Sequence, residues 1–369
     1  MKISYRQLCI MIFLSLISMK FLILPSVLYR FSENMSWVVV LVLMIIDGLY
    51  AILIIDLMKK SAYRNINEFM IHTIGPVLTK IFLIIISLQL ALQIANIAKG
   101  SEFFVVENFY NNFNWILYVL PLIALTAFMM YKGIRNIARV QEVFCWAIII
   151  GCIYIVIKSI NGVDPMEYLP MFKDGVTPLF YSGFRHMNWF GSSSFLLLLF
   201  GKVDFKDERK GKLISYLLIA VVLVQIVYFI FFGLFGVTSP THTFAISDIS
   251  QFSSSKSIID ELSWLVVSLW VIAQVMQISV YGYCLVHAVM FLIGKRWLIP
   301  TICLLEIGIF SLGYIGAETI YMEYIFFTPF ASIITIISQY IIPLILVVGN
   351  IMRNRKEKRV AYEKTKVNI

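Results

Sequence analysis

The feature that most constrains this chain is a succession of ten apolar runs, each long enough to cross a bilayer. A hydrocarbon core about 30 Å thick requires about 20 residues of α-helix. The runs cover residues 7–29, 35–57, 76–99, 113–131, 140–160, 177–201, 213–236, 258–291, 297–315 and 324–352. Hydrophobic residues make up 60% of the chain and charged residues 14%, which excludes an ordinary soluble domain. The sequence therefore predicts an all-α integral membrane protein with ten transmembrane helices.

The distribution of positive charge predicts the orientation. Most of the 30 Lys and Arg residues fall in the loops after the second, fourth, sixth and eighth spans and at the two termini. Cytoplasmic loops are enriched in Lys and Arg, so both termini are predicted to be cytoplasmic. Residues 1–352 would form one membrane domain and residues 353–369 a basic tail. The net charge of +9 then indicates contact with anionic lipid, not with nucleic acid.

The sixth apolar run cannot form one uninterrupted helix. Residues 189–194 read Trp-Phe-Gly-Ser-Ser-Ser in the middle of it. Gly191 lets the chain turn, and the three hydroxyls can bond freed backbone groups or a ligand. Lipid cannot satisfy free N–H and C=O groups, so such a break is typical of a protein-enclosed site near the midplane. The alternative is a kinked packing helix, because Gly and Ser also let helices approach closely.

The first apolar run carries a second candidate break. Lys20 lies at its centre, and Pro25 removes a helical hydrogen bond five residues later. A lysine at midspan costs at least ~2.5 kcal/mol on insertion scales, so it is expected to face a polar cavity or a partner. Asp47 is the nearest candidate partner in sequence. Snorkelling to an interface is the alternative, but Lys20 is about equally far from both ends of the run.

Two further runs carry polar stripes at helical spacing. The third places amides on one face, and the eighth repeats the pattern. The stripes are Gln89, Gln93 and Asn96 in the third run, and Trp270, Gln274, Gln277 and Tyr281 in the eighth. Polar stripes within lipid either line a cavity or join helices.

These features together predict an internal repeat. Each half of the chain, about 7–160 and about 177–352, opens on a candidate broken helix. Five plus five spans of this kind are the signature of an inverted-repeat transporter fold with its site between spans 1, 3, 6 and 8. The five cysteines and four histidines are scattered, so no metal or cofactor is expected. No nucleophile with a credible base is evident, so no enzyme is expected either.

Several segments resemble the B subunit of spore germinant receptors, a branch of the amino acid/polyamine/organocation permease superfamily. They are Gly133-Ile134-x-x-Ile137-Ala138-Arg139-x-x-Glu142-x-Phe144, Leu169-Pro170-x-Phe172-x-x-Gly175-x-x-Pro178, and Trp270 followed by Gln277-Ile278-Ser279. Their order and spacing extend the resemblance over almost the whole chain.

The resemblance implies a leucine-transporter-like fold with broken helices 1 and 6. It also implies a nutrient sensor in the inner membrane of the spore, working beside receptor A and C subunits. Amino acids, sugars or nucleosides are the implied germinants. The chain departs from the family pattern at both breaks: Ser18-Met19-Lys20 replaces a Gly-Thr-Gly-like sequence, and Asn188-Trp189-Phe190-Gly191-Ser192 replaces Phe-Pro-Phe-Gly-Glu. Gln277 stands where a Lys is common.

The expected ligand site lies between the two breaks. Freed N–H groups at residues 192–194 would hold an anionic or hydroxyl group, aromatic rings would stack on an apolar face, and Lys20 would act as a built-in cation. The candidate ligand-binding residues are Ser18, Met19, Lys20, Phe21, Gln89, Gln93, Trp189, Phe190, Gly191, Ser192, Ser193, Trp270, Gln274, Gln277 and Tyr281. Two alternatives to a sensor stay open, an active amino-acid or small-solute permease and a structural subunit whose pocket has decayed.

Overall fold

The structure is a computed structural model that describes residues 2–18, 20–61, 65–108, 114–169, 175–191, 193–206, 208–252, 260–314 and 329–367. Its α-helices are α1 (Tyr5–Ile17), α2 (Leu24–Ser32), α3 (Ser36–Lys60), α4 (Ile66–Ile74), α5 (Pro76–Asn108), α6 (Trp115–Lys132), α7 (Ile134–Ser159), α8 (Thr177–Arg185), α9 (Lys210–Phe235), α10 (Ala245–Phe252), α11 (Asp260–Ile293), α12 (Leu298–Tyr314), α13 (Pro329–Thr335) and α14 (Ile342–Val367). A π-helical segment, Ile336–Ile341, joins α13 to α14. The strands β1 (Ile3–Ser4) and β2 (Val203–Asp204) pair in parallel.

The described part of the chain contains seven helical stretches that are long and apolar enough to cross a membrane. They are Leu24–Lys60, Pro76–Glu107, Trp115–Lys132, Ile134–Gly162, Gly211–Thr241, Ser268–Ile293 and Pro329–Arg355. The protein is therefore an all-α, multi-pass membrane protein, as the apolar runs predict.

Three of the ten predicted spans do not form a single helix of that length. The first run is divided between α1, with 13 residues, and α2, with 9 residues. The sixth is divided between α8 and two 3-10 helices, Met187–Phe190 and Ser194–Leu199. The ninth forms α12, which has 17 residues.

Three other segments differ from the sequence-based expectation. Helix α5 continues beyond the predicted end at residue 99, so that Lys99 is buried in an ion pair with Glu102 at 3.0 Å. Helix α4 occupies a stretch treated as loop, begins at the capping side chain of Asn65, and buries Phe69. The basic tail continues α14 as far as Val367, because Lys, Arg and Glu are good helix formers.

Helix α11 is the central element of the bundle and packs against α5, α6 and α7. Close approach to α6 depends on Gly282, where a Cβ atom would collide with the side chain of Met130. Helix α1 packs between α7 and α9. Helix α11 contacts both α5 and α1.

One end of the bundle is fastened by polar contacts of the N-terminal segment. Ser4 and Gln7 form a capping box at the start of α1. The side chains of Arg6 and Gln7 both contact the carboxylate of Glu142 in α7. The N–H of Ile3 donates to the carbonyl of Lys202, which continues the pairing of β1 with β2. The start of α1 is thus tied to α7 and to the chain that follows the sixth run.

Candidate functional site

The helix of the first apolar run stops at Ile17 and resumes at Leu24, and we call the described residues between them, 18 and 20–23, the first interruption. Pro25 lies in the first turn of α2, where its missing N–H is not needed. The carbonyls of Phe21 and Leu22 accept hydrogen bonds, each of 3.1 Å, from the N–H groups of Ile246 and Ala245. The start of α10 therefore satisfies two backbone groups that the interruption leaves free.

The sixth run has a second interruption between α8 and the 3-10 helix Ser194–Leu199. It comprises the described residues 186–191 and 193 and contains the short 3-10 helix Met187–Phe190. At position 191 only a glycine fits, because there is no room for a Cβ atom. A Cβ atom at this position would lie 2.5 Å from Nε2 of Gln89 and 2.9 Å from Nε2 of Gln93. The φ angle of Gly191 is −71°, which any residue can adopt. The glycine is therefore explained by the close approach of the Gln89 and Gln93 side chains, not by a special turn.

Glutamine side chains hydrogen-bond to backbone carbonyls at both interruptions. From α5, Gln89 donates to the carbonyl of Gly191 at 3.2 Å, and Gln93 donates to the carbonyl of Asn188. From α11, Gln274 donates to the carbonyl of Ser18 at 2.8 Å. In the same way Gln277 of α11 reaches the carbonyl of Ser15, in the last turn of α1, at 3.4 Å. The two polar stripes thus satisfy the acceptors that the ends of the short helices leave unpaired.

A fifth glutamine extends this pattern to the π-helical segment. Gln339 donates to the carbonyl of Phe190 at 2.8 Å, and its Oε1 accepts from the N–H of Ser193 at 3.3 Å. The N–H of Ser193, expected from the sequence to hold a ligand, is therefore engaged within the protein. A π-helix is frequent at functional positions, because the extra residue re-aims side chains.

A charged pair lies between the interruptions. Lys20 is fully buried, and its Nζ lies 5.0 Å from the centre of the Phe190 ring. The negative charge of Asp47 in α3 acts on Lys20, in line with the pairing suggested by their positions in the sequence. Oδ1 of Asp47 accepts hydrogen bonds from Gln339 and, at 3.3 Å, from the hydroxyl of Tyr340. Lys20 thus contacts the second interruption through Phe190, and Asp47 contacts the π-helical segment through Gln339 and Tyr340.

Aromatic side chains flank the amide network. The rings of Phe21 and Trp270 lie 5.0 Å apart, and those of Phe195 and Tyr281 lie 5.7 Å apart. Gln277 also donates to the hydroxyl of Tyr281 at 2.9 Å. Trp189 is 3% exposed, so it packs inside the bundle.

Several buried polar atoms beside the first interruption have no partner among the described residues. They are Oγ of Ser18, Nε1 of Trp270, and Oε1 of Gln274 and Gln277. Because each glutamine Nε2 faces a backbone carbonyl, the amide oxygens are fixed in the opposite direction. One N–H donor, two carbonyl acceptors and one hydroxyl are therefore buried beside the first interruption without a hydrogen-bond partner among the described residues.

The structure thus brings the sequence-predicted residues of α5, α11 and the two interruptions together. Met19 and Ser192 lie outside the described residues. Sequence reasoning did not assign Gln339, Tyr340 or Asn188 to the site. Gln339 and Tyr340 had no signal other than a polar residue within an apolar run, whereas Asn188 lies at the start of the second candidate break. In the described part of the chain, no three His, Cys, Asp or Glu side chains are grouped to hold a metal.

Asp248 in α10 and His242, three residues before the start of that helix, form a titratable pair outside the membrane-spanning helices. Oδ2 of Asp248 lies 3.6 Å from Nδ1 of His242 and accepts from the N–H of Phe244 at 3.3 Å. Burial, with a smaller contribution from the Glu107 carboxylate, raises the pKa of Asp248 to about 6. Burial lowers the pKa of His242. The start of α10 donates hydrogen bonds to the first interruption, so the charge of Asp248 lies on an element that contacts the site.

Comparison with known protein families matches most of the chain. The sequence model of the family described as "Spore germination protein" matches residues 2–315. The matched region includes both interruptions, the two glutamine stripes and the Lys20–Asp47 pair, whereas Gln339 lies beyond it. A comparison with curated proteins finds no match.

Proposed function

Because the chain belongs to the spore germination protein family, we propose that it is the membrane subunit of a germinant receptor that senses a small nutrient. In this proposal α1 and α2 are the halves of one discontinuous span, and α8 and the 3-10 helix Ser194–Leu199 belong to another. The ten spans then form a five-plus-five inverted repeat of the leucine-transporter type. The protein would lie in the inner membrane of the spore with both termini cytoplasmic.

The observation that carries the proposal is the set of glutamine amides that join the two interruptions to the rest of the bundle. Gln274 joins the first interruption, and Gln277 the last turn of α1, to α11, whereas Gln89 and Gln93 join the second interruption to α5. Each bond is to a backbone carbonyl, so a ligand that competes for an amide frees that carbonyl. The short helices then have two alternative packings, and a ligand that prefers one of them shifts the population.

The polar atoms without a protein partner among the described residues support a small polar ligand. Two acceptor oxygens and a hydroxyl suit amino or hydroxyl groups, and the indole N–H of Trp270 suits a carbonyl or hydroxyl oxygen. The ring of Trp270 adds an apolar face. Amino acids, sugars and nucleosides carry this combination of groups. The negative charge of Asp47 acts on Lys20, so we propose that Lys20 serves as a fixed cation within the site and that no metal is needed.

The signal would pass to partner subunits, for which we propose the receptor A and C subunits. Sensing requires that nutrient and partners bind the two packings with different affinity. No chemical step is involved in this mechanism, and the protein is proposed not to be an enzyme.

Spores that carry Gln274→Leu test the proposal in the cell. Leucine cannot donate to the carbonyl of Ser18, so the nutrient concentration for half-maximal germination is expected to change by tenfold or more. Trp146→Phe, a change at an exposed position of α7, is the matched control and is expected to leave the response unaltered. An unchanged response in Gln274→Leu spores with normal protein levels contradicts the proposal.

Uptake into vesicles separates the sensor from a carrier. Vesicles that contain only this protein are expected not to concentrate a radiolabelled nutrient that triggers germination. Concentrative uptake would instead favour a working permease. A Gln274→Leu variant that alters neither uptake nor germination would favour a structural subunit.

A further inference from the structure

Among the described residues, five side chains of the Lys, Arg, Asp and Glu types are buried within the bundle. Four of them are close to an opposite charge. Lys99 is paired with Glu102 at 3.0 Å, and the charge of Asp47 acts on Lys20. The fifth is Glu306 of α12, which is 6% exposed and takes part in no ion pair among the described residues. A carboxylate inside a membrane is costly without a partner, so the charge state of Glu306 calls for an explanation.

Glu306 makes one side-chain hydrogen bond within the described part of the chain. Its Oε1 lies 2.9 Å from Oγ1 of Thr126 in α6, and its Oε2 is buried without a partner there. The same Oγ1 lies 2.8 Å from the carbonyl of Leu122 and 3.2 Å from that of Ile123, in the same helix. A hydroxyl carries one proton, and a carbonyl can only accept. When Thr126 donates to Leu122, as Thr side chains in helices often do, its contact with Glu306 requires a proton on the carboxyl group.

The position of Glu306 keeps it away from water. It lies midway between the ends of α12 at Leu298 and Tyr314, about 12 Å from each along the helix. The outer face of α12 is apolar, with Leu304 72% and Ile307 62% exposed to the surroundings of the bundle. An ionised Glu306 would therefore have neither a cation nor solvent to offset its burial.

The titratable groups on the helices packed against α12 make other contacts. On α6, Lys132 is six residues beyond Thr126, and its Nζ lies 5.4 Å from the centre of the Phe128 ring. On α11, the ring of His287 packs on that of Tyr283, whose hydroxyl accepts from Lys202. The α5 side chains that line the groove with α12 are apolar, namely Ala91, Ile94 and Ala95. These contacts leave Glu306 without a counter-ion from any of the three helices.

We propose that Glu306 is a proton-binding site within the membrane, a neutral carboxylic acid at neutral pH whose O–H donates to Oγ1 of Thr126. The proton removes the need for a counter-ion, and Thr126 keeps its own donation to Leu122. Loss of the proton places a negative charge against the hydroxyl oxygen, so the contact between α6 and α12 depends on protonation. The inference goes beyond nutrient sensing and does not rest on it.

Infrared spectroscopy tests the proposal, because a protonated carboxyl group has a C=O stretching band that an ionised carboxylate lacks. The full-length protein is measured at neutral pH in maltoside detergent, which has no ester carbonyl. The wild-type protein is expected to show this band, and Glu306→Gln is expected to lose it. Glu102→Gln is the matched control and retains the band, because Glu102 is equally buried but paired with Lys99. Thr126→Val keeps the side-chain volume and removes the hydroxyl, so the band is expected to remain but to move to higher frequency.

Two results overturn the proposal. One is an identical spectrum of the wild-type protein and Glu306→Gln in this region, which would show that Glu306 is ionised. The other is a Glu306 band that keeps its frequency in Thr126→Val, which would show that Thr126 is not the acceptor. If Glu306→Gln fails to fold, isotope-labelled glutamate replaces it, since the label shifts the band of a protonated glutamate and not that of an aspartate. Absence of a shifted band in the labelled wild-type protein then overturns the proposal.

Discussion

Replacement of Lys20 by Met removes the positive member of the buried pair and leaves Asp47 negative inside the bundle. Removing one partner of a buried ion pair typically costs about 3–5 kcal/mol of unfolding free energy. Gln339 and Tyr340 still donate to Asp47, so we expect a cost near the lower limit, about 3 kcal/mol. Asp47→Asn leaves Lys20 with the ring of Phe190, and we expect a similar loss.

The double variant Lys20→Met/Asp47→Asn distinguishes a charge interaction from simple packing. With both charges removed, no uncompensated ion remains, so the double variant is expected to lose about 2–3 kcal/mol less than the sum of the single variants. Unfolding in mixed detergent micelles, followed by the loss of helical circular dichroism, measures these free energies. The exposed pair Lys60 and Asp56 is the matched control, with an expected coupling of about 0.5 kcal/mol or less. If the loss of unfolding free energy in the double variant at Lys20 and Asp47 equals the sum of the two single losses to within about 0.5 kcal/mol, the two charges do not interact as expected.

Three further predictions concern the surroundings of the pair. Gly191→Ala is expected to cost about 1–3 kcal/mol because its methyl group would meet the amide of Gln89, whereas Gly183→Ala, with 3.7 Å to the nearest atom, should be nearly neutral in the same unfolding assay. Equal costs for the two glycines would contradict the close approach. Gln339→Leu removes the donor to Phe190 and Asp47 and is expected to lower the thermal midpoint; Gln339→Glu should lower it further, since it places a second carboxylate beside Asp47, and the reverse order would be inconsistent with this geometry. For Asp248, the pKa rises from 3.8 to about 6 on folding. The folded state therefore binds the proton more tightly, and stability falls by up to about 3 kcal/mol as pH rises from about 4 to 6. Asp248→Asn should abolish that fall in a pH series, and an unchanged slope would show that another group titrates.

The all-α membrane class follows from the length of the apolar runs, because an α-helix satisfies all its backbone hydrogen bonds within one continuous run of about 20 residues. The polar stripes were also predictable from the sequence. Gln89 and Gln93 are four residues apart, as are Trp270 and Gln274, and this spacing places each pair on one helix face. The departures at helix ends were not predictable, because hydropathy does not report where the hydrogen-bond ladder stops.

The partners of those amides depend on tertiary packing. Nothing local indicates that Gln274 faces the carbonyl of Ser18, or that Gln339, far along the chain, contacts both Phe190 and Asp47. The docking of α10 on Phe21 and Leu22 is likewise a contact between segments more than two hundred residues apart. Such contacts are specified by the whole bundle, so sequence periodicity predicts which face is polar but not what it binds.

A small nutrient is proposed to bind between the interruptions. Thermal unfolding of the purified protein in the presence of amino acids, sugars and nucleosides tests this proposal. A ligand at a hundredfold excess over its dissociation constant stabilises the folded state by about 2.7 kcal/mol. We predict that at least one nutrient raises the midpoint of the wild-type protein and of Trp146→Phe, and that Trp270→Phe loses this shift. A shift that Trp270→Phe and Gln274→Leu both retain in full, or no shift with any of these nutrients in folded protein, would contradict the claim.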